Sequence, residues 1–300
     1  MARAQAEVTA TSGITATIQD YVVLTKPGIQ TLLLVAMLGA MLVAAEGAPA
    51  IGLVIAMLVG GSLVSGGANA LNCYIDRDID AKMSRTRRRA TATGRISPVA
   101  ALTFGLTISA LGVLVIGLAS NWFAAALAVV GNLYYVLVYT FWLKRSTPHN
   151  IVVGGAAGAV PPLVGWAAVT GTLSAPAWIL FAIIFYWTPP HFWSLALLKQ
   201  GEYGRASVPM LPVVAGEEAT RRQIFLYTVL LSAVSLLLVP FGMGWIYMVG
   251  VLALNAMFLW YAWLLLTDPS KARARQTFFY SLWYLALFYV ALVLDQLLLA

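Results

Sequence analysis

The sequence contains little charge and almost no cysteine. Charged residues make up 10% of its 300 residues, whereas soluble domains carry about a quarter. Such a chain cannot cover a water-facing surface of its own size, and its composition also excludes disorder and collagen-like repeats. Its single cysteine, Cys73, cannot form an internal disulfide or a cluster of zinc thiolates. The remaining class is a polytopic helical membrane protein, because long unbroken apolar runs replace the alternation that is typical of outer-membrane barrels.

These apolar runs predict nine membrane-spanning helices. A helix rises ~1.5 Å per residue and needs ~20 apolar residues to cross the hydrocarbon core. We therefore expect an all-α fold, with a cytoplasmic tail over residues 1–25 and one intramembrane domain over residues 26–300. The predicted spans cover about residues 28–45, 51–72, 98–119, 121–142, 150–169, 176–198, 224–243, 245–267 and 278–298.

The basic residues indicate an orientation. All 18 lysines and arginines fall on one side of the predicted spans, and such residues are retained on the cytoplasmic side of a membrane. We therefore expect a multi-pass protein of the cell (inner or plasma) membrane, with a cytoplasmic N-terminus and an outer C-terminus. Anionic lipid headgroups account for the net charge of +7, so no nucleic-acid partner is expected.

Three oxygen-bearing side chains stand at the cytoplasmic end of the second span. Asn72, Asp76 and Asp80 are spaced four residues apart, so on a helix they line one face. Clustered carboxylates are costly near hydrocarbon, and Mg²⁺, which takes carboxylates together with phosphate oxygens and waters, would offset that cost. Two interpretations remain open here: a Mg²⁺ site, or a solvated helix end whose charges pair with Arg77 and Lys82.

A group of arginines, Arg85 and Arg87 to Arg89, follows these carboxylates closely. A metal with arginines beside it forms a receptor for a diphosphate, and a receptor at the membrane edge suits a diphosphate with a lipid tail. Asp78, on the opposite side of the helix, is expected to pair with a neighbouring arginine. A secondary transporter is the rival of a different class, but it would carry its charges near the membrane midplane.

The pattern Asn72-x-x-x-Asp76-x-x-x-Asp80 resembles the first aspartate-rich motif of the UbiA superfamily of intramembrane prenyltransferases. Three further stretches resemble the haem-farnesylating family within that superfamily, and the similarity runs from Lys26-Pro27 to the last span. These stretches are Met83–Arg89 with Gly94–Pro98, Leu143–Asn150 with Gly154–Pro162, and Trp187–Trp193 with Val208–Pro212.

This resemblance implies a fold and a reaction. The fold would be a nine-helix bundle around a central cavity. The reaction would be a Mg²⁺-dependent transfer of a farnesyl group from farnesyl diphosphate to a vinyl group of haem B. Its product, haem O, serves terminal oxidases, so downstream haem-modifying or oxidase-assembly proteins are expected partners beside the lipid bilayer. The rival within the superfamily is an enzyme that prenylates a quinone precursor or chlorophyllide.

The resemblance also implies site residues. Asn72, Asp76 and Asp80 would be the catalytic residues and the metal ligands. Gly201-Glu202-Tyr203 departs from the Asp-Asp-Tyr that is common in the family and so weakens its second acidic motif, which leaves Glu202 as the remaining carboxylate for a second metal. The expected substrate-binding residues are Arg85, Arg89, Lys144, Arg145, His191, Lys199 and Tyr203.

His191 follows Pro189-Pro190 inside the sixth span, where two missing N–H groups predict a kink. It would either contact haem, through the iron or a propionate, or hydrogen-bond a carbonyl freed at the kink. His149, the other histidine, is expected to be solvated. Close helix contacts are expected at Gly154-Gly155 and at Gly158.

Overall fold

The computed structural model describes residues 13–299, and this part of the chain contains helices and no strand. Nine of the described helices are long and apolar enough to cross a membrane, which confirms the predicted count. A shorter helix, α1 (Ile14–Leu24), precedes them. The spanning helices are α2 (Pro27–Ala44), α3 (Ile51–Ile75), α4 (Pro98–Ala119), α5 (Trp122–Ser146), α6 (Asn150–Thr170), α7 (Ala175–Leu198), α8 (Gly216–Phe241), α9 (Trp245–Thr267) and α10 (Lys271–Leu299).

Two helices begin well before the apolar segments that predicted them. α8 begins at Gly216 and α10 at Lys271, about two turns ahead of the expected spans. The extra turns of α8 are polar and carry two i,i+4 ion pairs, Glu217–Arg221 and Glu218–Arg222. Hydropathy therefore located the part of each helix inside hydrocarbon, and the helices continue into the polar layer.

The described part of the predicted tail is the helix α1. Asp20 accepts two hydrogen bonds of 2.8 Å from the guanidinium of Arg95, and the Tyr21 ring lies 4.8 Å from the Phe104 ring. Leu24, at the end of α1, is completely buried. Residues 13–24 are thus attached to the loop before α4 and to α4 itself. Residues 1–12 of the tail lie outside the described residues, and the domain division near residue 26 stays a prediction.

α6 and α7 form the centre of the bundle. In their most apolar stretches 61% of the residues are buried, against 22–39% in the other spanning helices. Helices around this pair turn exposed leucine, valine and tryptophan side chains outward, as a lipid-facing surface requires. The polar groups on α6 and α7 are therefore largely surrounded by protein, and buried polar groups also lie on other helices, such as Asn72 on α3.

α3 packs against α4 with the two backbones in close approach. A Cβ added to Gly67 would lie 2.6 Å from the Gly105 carbonyl oxygen, and one added to Gly112 would lie 2.6 Å from that of Gly60. Only glycine fits at such distances, as in other close contacts between membrane helices. This pairing fixes the position of α3, whose last turn carries Asn72.

The contacts expected in α6 are found in part. A Cβ at Gly154 would overlap the Tyr139 ring, and one at Gly155 would lie 2.9 Å from the Thr188 side chain. The expectation for Gly158 is wrong, because that glycine has no neighbour within 4 Å and faces open space.

Asp295 joins α10 to the first turn of α9 at the end of the bundle remote from Asn72, Asp76 and Asp80. Its carboxylate accepts the backbone N–H of Gly244 at 2.6 Å and that of Tyr247 at 2.9 Å, and its side chain is buried. These N–H groups have no partner within their own helix, and the helix dipole favours a negative charge there. A buried carboxylate is thereby satisfied without a basic partner.

We expect Asp295→Asn to destabilise the protein by about 2 kcal/mol, because an amide cannot accept both hydrogen bonds and a buried N–H is left unpaired. Thermal unfolding of the purified protein in detergent measures the effect. Asp268→Asn is the matched control, since Asp268 is 69% exposed at the other end of α9 and makes only a 3.4 Å ion pair. Equal unfolding temperatures for the two variants would contradict this role of Asp295.

Candidate active site

The structure brings Asn72, Asp76 and Asp80 to one buried side of the helical segment. Asn72 lies in the last turn of α3, Asp76 caps that helix, and Asp80 lies in a short helix, Arg77–Lys82, that continues it. Backbone hydrogen bonds from Asp76 to Asn72 and from Asp80 to Asp76 preserve the four-residue step. None of the three is more than 3% exposed, whereas the Asp78 side chain is 55% exposed. Asn72, Asp76 and Asp80 therefore line one face, as predicted, and form the carboxylate stripe. Asp78 lies outside it.

Basic residues from other parts of the chain balance these carboxylates. The Lys144 ammonium contacts Oδ2 of Asp76, and Arg89 donates to Asp80 at 2.7 Å. The alternative in which Arg77 and Lys82 balance the stripe is wrong: Arg77 donates to the Tyr74 carbonyl and lies over the Tyr74 ring. Four of the five predicted substrate-binding cations lie against acidic groups, namely Arg89, Lys144, Arg145 and Lys199.

Arg145 is the cation that pairs with Asp78. It donates to both carboxylate oxygens of Asp78, at 2.7 and 2.8 Å, and these bonds lower the pKa of Asp78 to about 2. The same guanidinium lies 3.7 Å from Oδ1 of Asp76. Arg145 therefore spans the boundary between the buried stripe and the exposed side of the helix.

Lys26 is a site residue that sequence reasoning missed. Its ammonium donates to Oδ1 of Asn72 at 2.6 Å, and burial lowers the pKa of Lys26 to about 8. Lys26 has a left-handed backbone conformation (φ 53°) immediately before Pro27, which starts α2. The chain's sharp turn at this residue directs the lysine back to α3. In the sequence, the Lys26-Pro27 pair marks the start of the family resemblance, and nothing in it indicates a contact with Asn72.

A ten-residue π-helix, Tyr134–Leu143, occupies most of the C-terminal half of α5. In its wide turns the Thr140 hydroxyl donates to the Tyr135 carbonyl five residues earlier and accepts a 3.1 Å bond from the Asn72 amide. Lys144 follows Thr140 by four residues and meets Asp76. π-helical turns are rare, and they change which residues share a face. Thr140 is thus bonded within the π-helical segment while it contacts Asn72, and sequence reasoning did not identify it.

Glu202, the residue expected at a second metal position, joins two loops. Its carboxylate accepts a 2.9 Å hydrogen bond from Lys199 and another of 2.9 Å from the Ser84 hydroxyl, and these bonds lower the pKa of Glu202. Ser84 belongs to the loop that follows the carboxylate stripe. Glu202 and Lys199 are thus joined to the loop that follows Asp80 by a contact that the sequence alone did not indicate.

Tyr203 and Arg85 belong to the same cluster. Tyr203 is buried, and burial raises the pKa of its phenol while the charges of Arg85 and Lys144 oppose that shift. Arg85 itself is exposed at the surface of the loop. An exposed guanidinium beside a buried network is available to a ligand that enters from the aqueous side.

The donor set fits one hard divalent cation. Oδ1 of Asp76 is sealed from solvent and has no hydrogen-bond partner, although its neighbour Oδ2 has two. Within residues 13–299, no three histidine, cysteine or acidic side chains form a metal cage. Mg²⁺ suits such a site, because it is commonly bound by one or two carboxylates together with substrate phosphates and waters. Asp76 and Asp80, with the Asn72 amide, would supply the protein's share.

His191 is buried between α7 and α10. Its Nδ1 lies 2.7 Å from the Ser281 hydroxyl oxygen, and its ring stacks on Trp187 and Phe278 at centroid distances of 4.4 and 4.8 Å. The contact to a carbonyl freed at Pro189-Pro190 is therefore not the one observed, and α7 remains helical through both prolines. His149 is exposed, as expected.

We expect Gly154→Ala to lower the stability of the purified protein by about 1–3 kcal/mol, because the new methyl would displace the Tyr139 ring from a filled contact. Gly158→Ala, in the same helix and with open space around it, is the control and should be neutral or slightly stabilising. Thermal unfolding in detergent measures both. A larger loss in the Gly158 variant would show that the α5–α6 contact is not built on Gly154.

Comparison with known proteins gives one family. The model of the UbiA prenyltransferase family matches residues 32–286. A protoheme IX farnesyltransferase of Gloeobacter violaceus is 51% identical over 285 residues, which cover 94% of this chain and 93% of that relative. Relatives with the same name from Chloroflexus aurantiacus and Thermus thermophilus are each 50% identical over 96% and 94% of this chain. The chain spans only about half the length of those two relatives, 50% and 46%.

Solved structures share the fold at low sequence identity. A structure of digeranylgeranylglyceryl phosphate synthase superposes with a TM-score of 0.77 at 18% identity, covering 93% of this chain and 98% of the other. A UbiA homologue from Archaeoglobus fulgidus, bound to GPP and Mg²⁺, gives 0.68 at 14% identity over 91% and 99% of the two chains. At these identities the likeness establishes the fold alone.

Proposed function

The chain belongs to the UbiA prenyltransferase family, and on that premise we propose that it transfers a farnesyl group from farnesyl diphosphate to a vinyl group of haem B, giving haem O. The observation that carries this proposal is the 51% identity to the Gloeobacter protoheme IX farnesyltransferase over nearly the full length of both chains. A quinone precursor or chlorophyllide as acceptor is correspondingly less favoured. Haem O released into the membrane would pass to haem-modifying or oxidase-assembly proteins.

The basic residues around the stripe suit a diphosphate. Lys144 and Arg89 already lie against carboxylates, and Arg85 and Arg145 border the same space, so anionic oxygens entering here would meet several donors. Asn72, Asp76 and Asp80 would hold Mg²⁺, with Glu202 as the candidate for a second position. When bound, Mg²⁺ would supply Lewis-acid stabilisation of the leaving diphosphate. Lys199 and Tyr203, which lie beside Glu202, would be further contacts for the diphosphate.

The proposed chemistry needs no nucleophilic side chain. The C–O bond of farnesyl diphosphate breaks, and the diphosphate leaves with the bonding electron pair while Lys144 and Arg89 stabilise its charge. The π electrons of the haem vinyl group then attack the allylic cation, and water adds to the resulting carbocation with loss of a proton. Tyr135 and Tyr139, stacked 5.5 Å apart beside the stripe, offer ring faces to the allylic cation.

Pigment analysis tests the proposed function. Membranes of a host that makes haem B but no haem O are extracted with and without the expressed chain, and haems are separated by chromatography. We expect haem O only when the chain is expressed, and far less of it with the Asp76→Asn variant expressed to the same level. A changed quinone pool with no haem O would instead favour the rival acceptor.

We expect Asp76→Asn to lower kcat by about 10² or more, because it removes one charge from the diphosphate site and a few kcal/mol of transition-state stabilisation. Asp78→Asn, on the exposed side, should cost much less and should act mainly on KM, since Asp78 orients Arg145. Steady-state kinetics of both variants, normalised to protein abundance, make the comparison. Equal losses of kcat would contradict the division between buried stripe and exposed side.

We propose further that the protein lies in the cell membrane with a cytoplasmic N-terminus and an outer C-terminus, because its basic loops share one side. On a Cys73→Ala background, a cysteine at exposed Arg87 should react with a membrane-impermeant maleimide only in inside-out vesicles. A cysteine at exposed Thr172 should react only in intact cells whose outer envelope lets the reagent reach the outer face of the cell membrane. Reversal of either reagent pattern would overturn the orientation.

A further inference from the structure

The hydrogen bonds around His191 determine which ring nitrogen carries a proton. The Ser281 hydroxyl has one hydrogen, and it donates that hydrogen to the Phe278 carbonyl at 2.6 Å. The 2.7 Å contact between Ser281 Oγ and His191 Nδ1 therefore requires Nδ1 to be the donor. Nδ1 of His191 thus carries hydrogen, and in the neutral ring the lone pair lies on Nε2.

The surroundings favour the neutral ring and leave Nε2 without a hydrogen bond in residues 13–299. Two stacked aromatic rings, Trp187 and Phe278, cover the faces of the imidazole, and Phe192 meets it edge-on at 5.3 Å. No carboxylate bonds to His191 in residues 13–299, so a second proton would leave a buried charge unpaired. Nε2 makes no hydrogen bond within that part of the chain, and 9% of the surface of His191 remains exposed.

We propose that Nε2 of His191 ligates the iron of haem B, and that Ser281 is the positioning residue that holds the ring in the required tautomer. This inference rests on the proposed function and selects between the two haem contacts that the sequence left open. A propionate would need an N–H at Nε2, whereas iron needs a lone pair there, donated without any change of oxidation state.

A second hydrogen bond to Ser281 supports this geometry. The Trp187 indole N–H donates to the Ser281 carbonyl at 2.7 Å, so residues one turn apart on α7 both bind Ser281 of α10. The imidazole therefore has a fixed plane as well as a fixed tautomer, as is usual for histidines that bind metal. His191 lies seven residues before the end of α7, roughly 10 Å below the polar layer. Haem bound there would keep its macrocycle within the apolar bundle.

Haem titration of the purified full-length protein tests the proposal. Haem B is added to wild type and to His191→Gly in detergent without farnesyl diphosphate, and binding is followed by absorption and resonance Raman spectroscopy. We expect wild type to give a histidine-ligated spectrum, and the variant to lose that spectrum and at least about tenfold in haem affinity. Added imidazole should restore the wild-type spectrum in the variant. His149→Gly is the matched control and should behave as wild type.

Ser281→Ala tests the positioning role separately. We expect it to bind haem about three to tenfold more weakly, with an altered iron–histidine signal, while farnesyl diphosphate binding is unchanged. A wild-type spectrum in His191→Gly, or no response of that variant to imidazole, would overturn iron ligation and leave the proposed function standing. Equal loss of haem and farnesyl diphosphate with a lowered unfolding temperature would also overturn it. Failure of wild type to bind haem would instead contradict the proposed function.

Discussion

Asp76 and Asp80 are buried at the end of a membrane helix, where an unbalanced carboxylate is costly. Each has a basic partner from elsewhere in the chain, Lys144 from α5 and Arg89 from the loop before α4. Breaking a buried pair leaves its remaining charge uncompensated, so these two contacts constrain three segments at once. The arrangement of the site follows from this need to neutralise charge, and the same need brings together the cations that an anionic ligand would use.

Charge alone would not bring these groups to the required distances. α3 reaches its position because Gly60 and Gly67 allow α4 to approach its backbone, and a side chain at either glycine would hold the pair apart. α5 then presents Thr140 to Asn72 from its π-helical segment and Lys144 to Asp76 from the α-helical turn that follows it. Packing and helix geometry therefore determine where the charged residues meet, and the charges determine that the meeting is stable.

Much of this follows from the sequence, and the remainder has identifiable physical causes. Nine spans follow from hydropathy, since lipid requires the same long apolar helix wherever a chain crosses it. The buried stripe follows from the four-residue step of an α-helix. The Lys26 contact depends on a left-handed turn, and the Thr140 contact depends on a π-helix; neither conformation has a periodic signature. The contact of Ser281 with His191 could not be predicted for another reason: the two residues are 90 positions apart in the sequence, and no local pattern connects them.

The hydrogen bonds around Asn72 leave one buried acceptor of the site unused. The Asn72 amide donates to Asp76 and Thr140 while its carbonyl accepts from Lys26, so every polar atom of this side chain is used. Oδ1 of Asp76 is the acceptor left without a hydrogen bond. The single charge of the Lys144 ammonium cannot fully neutralise both Asp76 and a bound anion. An anion that draws Lys144 away from Asp76 therefore leaves this carboxylate in need of another cation. A diphosphate accompanied by a divalent cation meets both requirements together, whereas either one alone would leave a buried charge unbalanced.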